Sequence, residues 1–254
     1  MADRQLKFDF FNDFSPISEP QNIILKDRRN RVYPGDITFF LDQYLPEYKD
    51  DILSGKISEG PFRMPKLAAV HDVDPQRLVP FNAVMSLNSK RDSCFEFFHF
   101  FIHDYRFEGI WNTPQKHLSF LLKMGYGIGP DFSMYLYMHP TESIINCCRN
   151  RILSFFYQKQ GITLIPNACF GNELTFNWAF DGLPEHSILA VTSQGCMLDK
   201  VSKRVFINGL HELERQKHPE ILYVYGSFPE KWKDKFGMPI KTLPTFASSL
   251  RRAN

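Results

Sequence analysis

Ser187-Ile188-Leu189-Ala190-Val191-Thr192-Ser193-Gln194-Gly195-Cys196 and Ile221-Leu222-Tyr223-Val224-Tyr225-Gly226-Ser227 are two short apolar runs, each closing on small and polar residues. Between them the stretch from Asp199 to Lys217 has the apolar spacing of an amphipathic helix. Strand, helix, strand with one crossover is a βα unit, and units of this kind build parallel sheets. The same rhythm runs outward from this pair. Further strands are predicted at Phe97 to Ile102, Tyr126 to Gly129 and Ile162 to Ile165. Helices are predicted at Thr113 to Met124, Thr141 to Gln160 and Leu174 to Phe180, with Thr141 as N-cap after Pro140 and Gly161 closing the far end.

The residues before about 90 read differently. Pro-containing turns at Ser15-Pro16, Glu19-Pro20, Tyr33-Pro34, Met64-Pro65 and Asp74-Pro75 surround one helix, Ile37 to Tyr44, with Phe39, Phe40 and Leu41 available to a core. The expected architecture is therefore α/β, a mostly parallel sheet of successive βα units. Residues 1–90 form an irregular N-terminal cap on a core domain at 91–254, one compact unit overall.

Composition narrows the function. With 43% hydrophobic and 23% charged residues the chain is a folded globule, and a net charge of +2 excludes a histone-like polycation. The aromatic share of 15%, including 25 Phe and 10 Tyr, promises a large core and an aromatic-lined pocket. No apolar run reaches the ~20 residues of a membrane span and the first residues lack signal-peptide grammar, so a cytoplasmic location without membrane contact is expected. Cys94, Cys147, Cys148, Cys169 and Cys196 form no C-x-x-C pair, which leaves free thiols. G-x-G-x-x-G, G-x-x-x-x-G-K-[ST], G-x-S-x-G and H-E-x-x-H are all absent.

In a parallel sheet the carboxyl edge collects functional groups. Asp104, Asp131, Asn167 and Ser193 each follow a predicted strand, which places them at that edge. Asp131 is the sharpest candidate, since Phe132, Met134 and Tyr135 around it would desolvate the carboxylate and shift its pKa; a loop cap is the plainer alternative. Asp104 is the second acid, unless Arg106 simply pairs with it. Ser133 and Tyr135 share the loop of Asp131. On the long helix, Asn146, Arg149 and Asn150 form a polar stripe with Arg151 rotated away, and Arg149 or Arg151 suits a phosphate. Trp178, among Phe170, Phe176 and Phe180, could stack a base or be ordinary core. His99 and His103 lie too far apart on a strand to share a metal, and no metal or cofactor is implied. Basic clusters at Lys26 to Arg31, Lys231 to Lys235 and Arg251-Arg252 fit a phosphate backbone or a plain surface.

The run His99 to Glu108, then Trp111-Asn112, Gly129-Pro130-Asp131-Phe132-Ser133-Met134-Tyr135, and Asn146 through Arg149 and Arg151 to Gly161-Ile162 resembles a bacterial and phage family catalogued as domain of unknown function 4417. The resemblance covers roughly residues 80 to 226 and implies a phage-related setting and DNA-related work. Gly129-Pro130-Asp131-Phe132 is also loosely similar in chemistry to uracil-DNA glycosylases, which present an Asp in a Gly-x-Asp-Pro-Tyr loop; here the proline precedes the acid. The function expected is N-glycosidic cleavage of a flipped nucleobase, modified or unmodified, in DNA. Asp131 would steady charge or orient water, Tyr135 or Trp178 would stack the base, and Asn167 would read its edge. Two other readings stand beside it: a non-catalytic nucleic-acid-binding or interaction module, and a barrel-type base transferase using Asp104 and Asp131 as paired acids.

Overall fold

The structure is a computed structural model that describes residues 37–84 and 97–248. The chain divides into two units, residues 1–34 and 35–254, and the described residues all belong to the second. Cys94, the basic clusters at Lys26 to Arg31 and Arg251-Arg252, and the proline turns before residue 37 lie outside them.

Seven parallel strands organise the molecule. They are β1 (Leu78–Pro80), β2 (Phe97–His99), β3 (Tyr126–Ile128), β4 (Thr163–Ile165), β5 (Ile188–Thr192), β6 (Ile221–Tyr225) and β7 (Ile240–Leu243). β1 to β4 form one sheet and β5 to β7 another, each in simple chain order. The two are stitched beyond the end of β4, where Asn167 bridges Ala190 in parallel, Ala168 N donates to Ala190 O at 2.7 Å and Ala190 N donates to Pro166 O at 3.0 Å.

Chain order has a geometrical consequence. Parallel crossovers are right-handed almost without exception, so strands added always on the same side carry all their helices on one face. The other face can be buried only by curling onto itself. This is what the side chains do. Leu78, Phe97, Ile128, Ile165, Ile188, Tyr223, Tyr225 and Leu243, drawn from all seven strands, pack into one buried cluster. Three strands separate β2 from β6, yet the rings of Phe101 and Tyr225 stack at 5.0 Å and those of His99 and Tyr225 lie 4.6 Å apart. The sheet is thus a barrel-like wall around a filled interior. Its amino end is crossed by residues 70–74: Ile188 N donates to Val70 O at 2.9 Å, and the Tyr223 hydroxyl donates to Asp74 at 2.7 Å.

The helices α1 (Ile37–Tyr44), α2 (Leu118–Met124), α3 (Pro140–Lys159) and α4 (Lys200–Lys217) pack outside. Helix α3 is buried without a break from Asn150 to Tyr157, which explains its apolar residues on every side. One flank meets the barrel wall, where Gly129 lets it approach: a methyl there would sit 2.8 Å from Ser154 Oγ. The other flank meets α1, with the Phe40 ring stacked on Trp111 at 4.5 Å and edge-on to Phe156 at 6.2 Å. Helix α4 starts at Asp199, whose carboxylate accepts from Val201 N and Ser202 N, an N-cap worth about 1 kcal/mol.

Several predicted boundaries shift. Strand β2 stops at His99, with residues 100–102 outside the ladder, and α3 begins at Pro140 with His139, not Thr141, as its cap. The helix expected over Leu174 to Phe180 is a 3-10 turn, Glu173–Asn177. The Thr113 to Met124 stretch is a 3-10 turn at Pro114–His117 running into α2. Strands β1 and β7 were not predicted. β7 has Lys241 and Thr242 between its apolar ends, and β1 closes on Pro80 in the stretch read as cap, so neither presents a plain apolar run.

Candidate active site at the carboxyl mouth of the barrel

At the carboxyl ends of the strands lies a cavity of about 720 Å³. Every strand end contributes to its wall: Pro80, Phe101, Asp131, Asn167, Thr192, Tyr225 and Phe246 follow or close β1 to β7 in turn. Phe170, Val205, Phe206 and Met134 make much of the remainder apolar.

Asp131 is 7% exposed, and its Oδ1 accepts from Asn167 Nδ2 at 2.7 Å. Burial pushes its carboxyl up to about 6; hydrogen bonds from Asn167 and Cys169 oppose the rise and the charge of Asp104 adds to it. A carboxyl near 6 can give or take a proton around neutrality. Asn167 also donates to Pro130 O at 3.1 Å, which leaves its buried Oδ1 without a partner.

The loop carrying Asp131 is fastened from behind. Asn150 on α3 accepts from Phe132 N at 2.7 Å and donates to Phe132 O at 3.0 Å, and Asn146 donates to Ser133 O at 2.8 Å. Asp104 accepts from Ser133 N at 3.0 Å and from Ser133 Oγ at 2.8 Å. Both Asp104 oxygens are therefore occupied, and the acid holds the loop without lining the cavity.

Asp131, Asn167, Ser133 and Tyr135 are thus brought together on the cavity wall. Other predicted site residues go elsewhere. The Arg151 guanidinium is buried and donates to the backbone carbonyls of Asp181, Asn167 and Ala179 at 2.9, 3.0 and 2.6 Å, so each of its three nitrogens is committed to the protein, and it does not line the cavity. Arg149 pairs with Glu108 and lies 3.7 Å over the Phe132 ring, on the far side of the loop. Trp178 packs edge-on to Phe62 at 5.7 Å, outside the cavity. Ser193 Oγ donates to Tyr225 O at 3.3 Å behind the strand ends, and Asn146 acts as a loop brace.

Residues not singled out as candidates fill the vacated places. Arg106 lines the cavity and does not pair with Asp104; Tyr225, Phe101, Gln194, Cys169 and Cys196 join it. Arg106 and Gln194 were legible as strand-end residues, whereas Phe246 follows the unread β7. Burial and the charge of Asp131 push the Cys196 thiol up to about 12 and the Cys169 thiol well above its ordinary value. Raised thiols of this kind do not suit a nucleophile. His99 sits inside the barrel, where burial lowers it to about 3, while His103 is exposed and stacks on Tyr105. Among the described residues no three His, Cys, Asp or Glu side chains are grouped to hold a metal, and no helix is long and apolar enough to cross a membrane.

Residues 57–243 match the family described as Domain of unknown function (DUF4417). The chain belongs to this family. The DUF4417 match ends at the last residue of β7 and contains all seven strands together with Asp131 and Asn167, so it is wider than the resemblance legible in the sequence. Two phage proteins are similar to this DUF4417 chain. The Gene 1 protein of Mycobacterium phage D29 is 36% identical over 155 residues, covering 61% of this chain and 57% of that protein. The Gene 1 protein of Mycobacterium phage L5 is 31% identical over 209 residues, covering 80% of this chain and 89% of that one. The chain therefore spans little more than half of the D29 protein's length. No solved structure matches.

Proposed function

We propose that this DUF4417 protein cleaves the N-glycosidic bond of a nucleobase drawn out of a DNA strand into the barrel mouth. The observation that carries the reading is Asp131: a buried carboxyl pushed up to about 6, held by Asn167, on the wall of a cavity of about 720 Å³. That volume suits a nucleoside-sized ligand, and the apolar wall of Phe101, Phe170 and Phe206 suits a planar ring. In the reaction the C1′–N bond breaks, a water oxygen bonds to C1′, and the base leaves with the electron pair and a proton. Ionised Asp131 steadies the positive charge that builds on the sugar and takes the proton of the attacking water, which it returns to solvent, while the departing base takes its proton from solvent. Asn167 holds that carboxylate in place, and Tyr135 stacks on the extruded base. The reaction asks for no metal or redox cofactor. A base exchange with Asp104 as second acid fits less well, because Ser133 occupies both Asp104 oxygens.

The test is incubation of the purified protein with single- and double-stranded DNA, modified and unmodified, with free bases read by mass spectrometry and abasic sites by alkaline cleavage. Release is expected from wild type, reduced by about 10²–10⁴-fold in Asp131→Asn. No release from any substrate leaves a non-catalytic binding module as the better reading. Undiminished release by Asp131→Asn removes Asp131 from the mechanism.

A further inference from the structure

We propose that the rim of this cavity grips single-stranded nucleic acid, with Tyr105 and Tyr135 stacking bases while Arg106 and His103 meet phosphate. The choice of ligand rests on the nucleobase reading above. The surface itself stands on separate observations. Among the described residues five large hydrophobic side chains are more than 60% exposed: Tyr105 at 73%, Tyr135 at 62%, Tyr137 at 88%, Leu174 at 69% and Leu198 at 84%. All five lie in the loops that follow the carboxyl ends of β2, β3, β4 and β5. Singly scattered apolar residues are ordinary on a protein surface, but concentration around one opening marks a contact surface.

Its chemistry is that of a strand binder. The Tyr105 ring carries the His103 imidazole 5.8 Å away and nearly parallel, and the Arg106 guanidinium 5.4 Å from its centroid. His103, Arg106 and Tyr135 also line the cavity, so the rim and the Asp131 site form one continuous surface. Four carboxylates on these loops face donors of the protein itself. Asp104 is held by Ser133, Glu108 by Arg149, Glu173 by Asn208, and Asp199 by the start of α4. Arg106 makes no ion pair among the described residues, and Lys200 on the first turn of α4 is exposed. Arg106 therefore offers a cation at the mouth, beside Tyr105 and on the cavity wall. Exposed tyrosine rings stack on bases that are unstacked from their neighbours, which a duplex does not offer and a single strand does.

Fluorescence anisotropy of the full chain with a labelled thymidine oligonucleotide of about twelve nucleotides tests this, against a duplex hairpin of the same length. The single strand is expected to bind at least about tenfold more tightly, with affinity falling as salt rises. Tyr105→Ala and Tyr135→Ala should each weaken it about tenfold, Tyr105→Phe should restore it, and Arg106→Gln should reduce the salt slope by about 0.7. All these side chains are on the surface or the cavity wall, so circular dichroism should show the fold unchanged. Equal affinity for the duplex, binding indifferent to these substitutions, or no binding of the single strand overturns the proposal; the last two point to a protein partner at the rim. Strand binding without base release would sink the catalytic reading alone, and turnover of free nucleosides without strand binding would sink this one alone.

Discussion

Asp131 is held in the folded protein with a greater liking for a proton than in the unfolded chain, about 6 against 3.8. A carboxyl raised in this way lends stability that is fully present below about pH 4 and is lost as pH climbs through 6, because the folded state then has to keep a desolvated charge. Asp181, also raised to about 6 by burial, acts in the same direction, and His99, lowered to about 3, acts in the opposite one. The wild-type pH profile therefore sums opposing contributions, and a difference isolates Asp131. Asp131→Asn keeps an oxygen for Asn167 but carries no charge, so it should be about as stable as wild type at pH 4. It should gain relative stability on the order of 2 kcal/mol by pH 7.5, at about 1.4 kcal/mol per pKa unit. Urea denaturation of both proteins at a series of pH values measures the gap; a gap that stays flat means the carboxyl is not desolvated. Lower activity joined to equal or higher stability is the mark of a functional charge.

Helix α3 shows how a correctly read element can hide the roles of its residues. Its length, its closing glycine and the face of Asn146 and Asn150 followed from spacing, since neighbouring turns place these residues on one side. Which partner each residue meets did not follow. Arg149 and Arg151 looked alike as phosphate ligands, yet one stacks on Phe132 and the other ties the carbonyls of Asp181, Asn167 and Ala179. Arg151→Met should therefore take the charged donor from three carbonyls, two of them buried, at roughly 1–3 kcal/mol for each buried one, enough to remove a large part of the protein's stability. Arg149→Met should cost about 1–2 kcal/mol, since it loses one half-exposed ion pair and two cation–π contacts, over Phe132 and Trp111. Chemical denaturation orders the two; an Arg151→Met protein as stable as Arg149→Met would contradict the carbonyl tie.

At the scale of the whole molecule, the two ladders behave as one body because a single buried cluster draws on both. Unfolding of the described unit should be one cooperative transition. Trp111 lies beside the first ladder and Trp232 after β6, so fluorescence from variants retaining one or the other should trace the same urea curve as far-ultraviolet circular dichroism. Separate midpoints would show two independently stable halves. The parallel α/β class, five of the seven strands and the placement of Asp131 and Asn167 at one sheet edge were legible in the sequence, because apolar runs and caps are local signals read within ten residues. So was Ser133, in the loop of Asp131. Curling into a barrel was not, since it depends on which strand lies beside which, and neither β1, closed by Pro80, nor β7, with Lys241 and Thr242 at its centre, presents an apolar run. Nor was the exchange of Arg149, Arg151, Trp178 and Ser193 for Arg106, Tyr225 and Phe246 at the mouth. Residue type states what a side chain can bind; the direction in which it points, and whether its hydrogen bonds are already spent on the protein's own carbonyls, are decided when distant segments pack.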